Sequence, residues 1–233
     1  MMRAAFLSIV IALVACGDTG QVRVRYPMVA ESEGASFTTP SGWAVALTEA
    51  RLGFGPVYFC ASEQASAELC PVAVNELAAG VEVDLTAAGP QPLGDVTGTN
   101  GSIRSVALDY GVTWFTTERQ PTALAAAPDG VSAILAGTAA KAGRNLPFHI
   151  RVVVAPQFAG TSSVAYRTDG TISRTTSAVT ARFTPARLFD DVDFDALAAR
   201  TPDGATATLA PTDPDALTIT ARLQTAAAPT FTW

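Results

Sequence analysis

Few side chains in this sequence could do chemistry, and their spacing narrows what that chemistry would be. His149 is the one histidine in 233 residues, so a metal site built on several imidazoles is excluded. A relay of serine, histidine and aspartate would also need His149, yet no serine sits in a Gly-x-Ser-x-Gly elbow. Phe148 and Ile150 flank His149 in an apolar run, which places it on the opposite face of a strand, bonded to solvent or to a neighbour. The densest acidic run is Asp190, Asp191, Asp193 and Asp195. Its carboxylates suggest a cation such as calcium, with Asp191, Asp193 and Asp195 as ligands. Calcium loops, however, turn sharply around a glycine, whereas Val192 and Phe194 alternate with these acids and no glycine follows until Gly204. The same alternation puts Asp191, Asp193 and Asp195 on one solvated face, so the expected role of the run is helix capping with core anchoring. No cofactor is expected, and the chain reads as non-enzymatic.

The first residues have the three parts of a secretory signal: Arg3, an apolar core from Ala4 to about Ala12, and small residues before Gly17. The apolar run is shorter than the roughly 20 residues that a membrane-spanning helix needs. At its end Leu13-Val14-Ala15-Cys16 resembles the lipobox of bacterial lipoproteins. The resemblance implies that residues 1–15 are a signal peptide removed on maturation, that Cys16 carries lipid on its thiol, and that 16–20 form a short linker. A single acyl chain holds only marginally, and the several chains implied by the family make a permanent tether. The expected partner is therefore a membrane, reached through the N-terminal lipid. Gly17, rather than an aspartate, follows the cysteine, which resembles proteins sorted to the outer membrane. The expected location is the cell envelope, facing the periplasm or the cell surface.

The formal charge of −6 argues against nucleic acid, whose binding depends on cationic neutralisation of phosphates; the expected partner in the envelope is a protein or a small ligand. Two cysteines remain, Cys60 and Cys70. In an exported chain an even pair is most simply a disulfide, and closing a loop of about eleven residues stabilises by roughly 2.5 to 3 kcal/mol on the chain-entropy account. Neither the close spacing of a redox motif nor a nearby histidine accompanies them. With Cys16 lipidated and Cys60 and Cys70 bridged, only His149 and Met28 remain as the soft or imidazole ligands that copper prefers.

The elements that must position these residues read as strands. In "VRVRYPMV" Val22, Val24, Tyr26 and Met28 alternate with Arg23, Arg25 and Pro27, and the proline marks an edge or a bulge. Strands are expected at Ser36–Thr39, Trp43–Leu52 and Pro56–Cys60, with a Pro-Ser-Gly turn after the first. Further strands are expected at Val72–Leu77, at Val81–Leu85 and after Ser102, where Val106, Leu108 and Tyr110 share a face and Gly111 breaks the register. Ala87 to Ser102, rich in Gly, Pro, Thr and Asn, reads as a loop. "SAILAGTAAKAGRNLPFHIRVVV" is the clearest hairpin. More strand-like runs lie at Ser163–Tyr166, Ala178–Thr184, Thr206–Leu209 and Ala216–Leu223, and the aromatics of "TFTW" dock together. Asp193 or Asp195 caps a short helix from Ala196 to Arg200, and a second short helix is expected within Ser62–Leu69. About ten strands with one or two short helices predict an all-β chain, an antiparallel β-sandwich or partly closed barrel over 21–233 as a single domain.

The order of "GW-x-V-x-L-x-x-A" early, "AGTAAKAGRNLPFHIRV" in the middle and "LFDDVDFDAL" later resembles the exported MbnP-like proteins associated with copper-binding methanobactin systems. The resemblance implies a similar sandwich and, as an alternative function, periplasmic copper handling. That chemistry implies histidine and a modified tryptophan near the metal. This chain offers His149 alone, and none of Trp43, Trp114 and Trp233 falls in a motif that assigns it to such a site. The leading expectation is a lipid-anchored, non-catalytic binding or assembly module.

Overall fold

The computed structural model describes residues 21–63 and 73–233. The signal segment, Cys16, its linker and Cys70 lie outside them, as does most of the helix expected within Ser62–Leu69. Sixteen strands are present among the described residues. They are β1 (Arg23–Ser32), β2 (Ser36–Thr38), β3 (Ala44–Phe54), β4 (Val57–Cys60), β5 (Asn75–Leu77), β6 (Val81–Asp84), β7 (Gln91–Thr99) and β8 (Gly101–Leu108). There follow β9 (Val112–Thr113), β10 (Thr122–Ala123), β11 (Ala133–Lys141), β12 (Arg144–Val152), β13 (Val164–Ile172), β14 (Val179–Phe183), β15 (Ala207–Leu209) and β16 (Thr230–Thr232). Two helices, Phe194–Arg200 and Pro214–Leu223, lie late in the chain.

An eight-stranded sheet runs β13-β8-β4-β5-β7-β1-β14-β16, and a six-stranded sheet runs β15-β12-β11-β3-β2 with β6 also on β3. One apolar cluster fills the space between them, with Met28, Phe54, Phe59, Phe148, Phe189 and Phe194 among its largest members. The all-β expectation holds, as a sandwich whose larger sheet nearly closes into a barrel. Period-two alternation accounts for it: Val24, Tyr26 and Met28 are buried while Arg23, Arg25 and Pro27 are exposed, and each fully buried large apolar side chain contributes roughly 1.5–3 kcal/mol.

The sheets are mixed rather than purely antiparallel, because β1 pairs in parallel with β14 and β12 with β15. β1 is interior, between β7 and β14. Pro27 is nevertheless tolerated, because pairing with β14 begins only at Met28 and the register with β7 shifts between Met28 and Val29. A proline has no N–H to give a second neighbour, and here none is required of it.

Two sequence expectations are overturned. The supposed loop Ala87–Ser102 contains β7 and the start of β8, with Leu93 and Val96 buried. The run Ala216–Leu223 is helical, with Pro214 in its first turn, and buries Ala216, Ile219 and Leu223, a spacing of three and four that belongs to a helix. The hairpin β11–β12 forms as expected around a two-residue turn, Ala142-Gly143, with Lys141 paired to Arg144.

Candidate functional site

The predicted aspartates are engaged by three different sets of partners. Asp190 and Asp191 both pair with Arg222, at 3.4 and 2.7 Å. Asp193 is the N-cap of the helix Phe194–Arg200, its carboxylate accepting the Ala196 N–H at 2.8 Å. Asp195 accepts from the Lys141 ammonium at 2.9 Å and from the Trp43 indole N–H at 3.3 Å, while that ammonium lies 5.7 Å from the indole centroid. The Lys141 hydrogen bond holds the Asp195 carboxyl below the usual carboxylate range. Turn and helix, rather than the strand that alternation suggested, carry these acids, although Val192 and Phe194 are buried between them as expected. Among the described residues no group of three or more His, Cys, Asp and Glu is placed to hold a metal ion.

His149 lies in β12, half-buried, opposite Ala136 of β11 and Thr208 of β15. Met28 belongs to the core of the other sheet, fully buried. Cys60 is buried at the end of β4, and its expected partner Cys70 lies outside the described residues. Of the tryptophans, Trp43 packs on Phe194, and Trp233 packs on Phe59 and donates to the Asp169 carbonyl at 2.9 Å. Trp43 also borders a concavity with Lys141, Arg144 and Asp195, and Trp114 lines a cleft of mixed polar and aromatic character.

That cleft sits on the outer face of the eight-stranded sheet and has a volume of about 330 Å³. Its floor is a cross-strand row, because Tyr58 of β4 is directly opposite Glu76 of β5 on one side and Ala107 of β8 on the other. Thr113 to Thr116 form one wall and Gly160 to Ser162 the other. The walls are tied together by the Gly160 N–H, which donates to the Trp114 carbonyl at 2.6 Å, and the Trp114 indole N–H donates to the Glu118 carbonyl at 3.1 Å. Phe115 and Phe158, 48% and 63% exposed, stand on these two loops, and they are two of the three large apolar side chains exposed among the described residues.

Asp109 lines the same cleft and is only 2% exposed. Its backbone is clamped: the N–H donates to the Pro56 carbonyl at 3.0 Å and the carbonyl accepts the Gly55 N–H at 2.9 Å. Its Oδ1 accepts the Ser163 N–H at 2.7 Å and the Ser163 hydroxyl at 2.9 Å. Burial pushes the carboxyl above the usual carboxylate range, against the opposing hydrogen bonds from Ser163 and Thr113. The Tyr58 hydroxyl is pushed up too, first by burial and then by the nearby charges of Asp109 and Glu76.

No family model matches this sequence, and no curated protein matches it. Among solved structures the chain is similar to MbnP from Methylosinus trichosporium, at 13% identity and a TM-score of 0.43, over 85% of this chain and 87% of that one.

The sequence analysis does not single out Asp109. By alternation with Leu108 and Tyr110 it reads as the solvated step of a strand, but the two loops cover that face and bury it. An aspartate is disfavoured within strands, and an acid standing between Leu108 and Tyr110 was the available signal. Nothing in the sequence spacing ties Tyr58, Glu76, Trp114 and Gly160 to it.

Proposed function

We propose that this chain is a lipid-anchored module of the cell envelope that holds a small ligand in the cleft between Tyr58, Asp109 and Trp114 without transforming it. The observation that carries the reading is Asp109, a buried carboxylate at the lining of a concave, partly aromatic cleft. Buried acids are ordinarily paired with a cation. The other buried carboxylate among the described residues, Asp215, has Arg200 at 2.8 Å. Clefts that combine apolar walls with a few convergent polar groups are the usual form of a small-molecule site. A binding role without turnover is supported by the lack of a Ser-His-Asp relay at Ser163, whose hydroxyl meets Asp109 directly while His149 stands in the other sheet. The tether rests on the lipobox-like Leu13-Val14-Ala15-Cys16.

Two measurements test the proposal. Amide spectra of the purified protein titrated with a mixture of small fragments should shift at Thr113–Thr116 and Gly160–Ser162; shifts confined to other regions would remove the cleft from consideration. Labelled palmitate should enter the full-length protein in cells and be absent from Cys16→Ser, whereas equal labelling of both would end the lipoprotein reading.

A further inference from the structure

We infer that the cleft selects a small organic cation, a protonated amine on an apolar or aromatic body, an inference that rests on the cleft being the ligand site. Among the described residues, every charged side chain lining it is acidic: Asp109 at its buried side and Glu76 on its exposed floor, with the Tyr58 hydroxyl between the strands that carry them. Among the described residues no lysine, arginine or histidine lines it. The sequence from 64 to 72, which precedes Ala73 at the cleft, contains none of these residues either.

The hydrogen bonds made to Asp109 come from neutral donors, an amide N–H and hydroxyls. They stabilise the carboxylate without supplying the opposite charge that its burial calls for. An ammonium group in the cleft would supply it, and a charge-assisted hydrogen bond to a carboxylate is roughly twice as strong as a neutral one. The walls suit the rest of such a molecule. Trp114 and Phe115 present aromatic surface to the same space, and a cation near the face of an aromatic ring is attracted by its quadrupole. A carboxylate or phosphate ligand would meet two like charges in a site with no cation to receive it. The cleft volume of about 330 Å³ suits a compact molecule rather than a folded partner.

The test uses benzylamine, benzyl alcohol and benzoate, which share a ring and differ in charge. Each is titrated into the whole protein at pH 7 and followed by Trp114-region amide shifts. Benzylamine should bind at least about tenfold more tightly than benzyl alcohol, the ratio that one charge-assisted hydrogen bond supplies, and benzoate should bind more weakly than either. Glu76→Gln, at an exposed position, should reduce the preference for the amine, and Asp109→Asn should abolish it. If Asp109→Asn does not fold, Glu76→Gln carries the decision. Equal affinity for amine and alcohol, a preference retained by Asp109→Asn, or, where that variant does not fold, a preference untouched by Glu76→Gln, would overturn cation selection while leaving the cleft a binding site. No shifts with any of the three overturns the inference, and the fragment mixture then decides separately whether the cleft binds at all.

Discussion

The indole of Trp233 occupies the space that a side chain at position 170 would fill. A methyl group placed on Gly170 would lie 2.1 Å from Trp233 Cε2, so the glycine of β13 and the ring beyond β16 are halves of one contact. Trp233 also packs on Phe59 and Phe231, with ring centroids 5.1 and 6.2 Å apart.

Gly170→Ala should therefore expel the ring and lower stability by about 1–3 kcal/mol, the usual cost of overpacking. Thermal unfolding and a red shift of tryptophan emission would report it. Combined with Trp233→Ala, the glycine substitution should add little, because the clash is then absent. Strict additivity of the two would contradict the contact.

Ala142 should be replaceable with profit. It sits at φ 51° beside Gly143 at φ 81° in the two-residue turn of the β11–β12 hairpin. A left-handed conformation costs an ordinary L residue about 1–2 kcal/mol, which asparagine tolerates better. Ala142→Asn should raise the unfolding free energy by about 1 kcal/mol, measured by urea denaturation; a loss of stability would show that the turn is not held in that conformation.

Asp109 should give the protein a pH dependence of defined sign. Burial raises its carboxyl above the unfolded-chain value, so the folded state binds the proton more tightly than the unfolded state. Stability from this group is then fully present below the ordinary carboxylate range, about pH 4, and is lost as pH rises through the raised value. Urea midpoints from pH 4 to 8 should fall less steeply in Asp109→Asn than in the parent protein. Identical slopes would mean that the carboxylate ionises in the fold as freely as in water.

Cys60 and Cys70 should both resist alkylation in the native protein and become reactive after reduction. Replacing both by serine should lower stability by about 2–3 kcal/mol, as closing a loop of this length predicts. A readily alkylated thiol in the native protein would refute the bridge.

Alternation made much of the sandwich legible, as in Val24, Tyr26 and Met28 or in the β11–β12 hairpin, because a half-buried strand imposes period two on its own residues. The glycines misled. Gly98 lies in the stretch whose composition reads as a loop, yet a methyl group there would lie 2.1 Å from the Val74 carbonyl oxygen. Its lack of a side chain is what allows β7 to lie beside β5. The helix Pro214–Leu223 was hidden by Thr218, Ile219 and Thr220, β-branched residues that favour strands and here are overridden by packing of Ala216, Ile219 and Leu223. Asp193 as a helix cap was readable, since capping is local. The cleft was not, because it joins Tyr58, Glu76, Asp109, Trp114 and Gly160 from five separate stretches, which only the register of β4, β5 and β8 and the Gly160–Trp114 hydrogen bond bring together.

The parallel pairing of β1 with β14 has a kinetic meaning. The ion pair between Glu31 and Arg182, which crosses that ladder, joins residues 151 positions apart. One flank of an interior strand is thus sealed by chain that follows most of the molecule, and the entropy of closing so large a loop must be lost before the ladder forms. Proteins dominated by such distant pairings fold in about milliseconds to seconds, orders of magnitude more slowly than helical chains. Until the segment from Val179 to Phe183 arrives, β1 presents an open edge on which a second chain could dock, so crowded refolding should favour aggregation and dilute refolding should favour the monomeric fold.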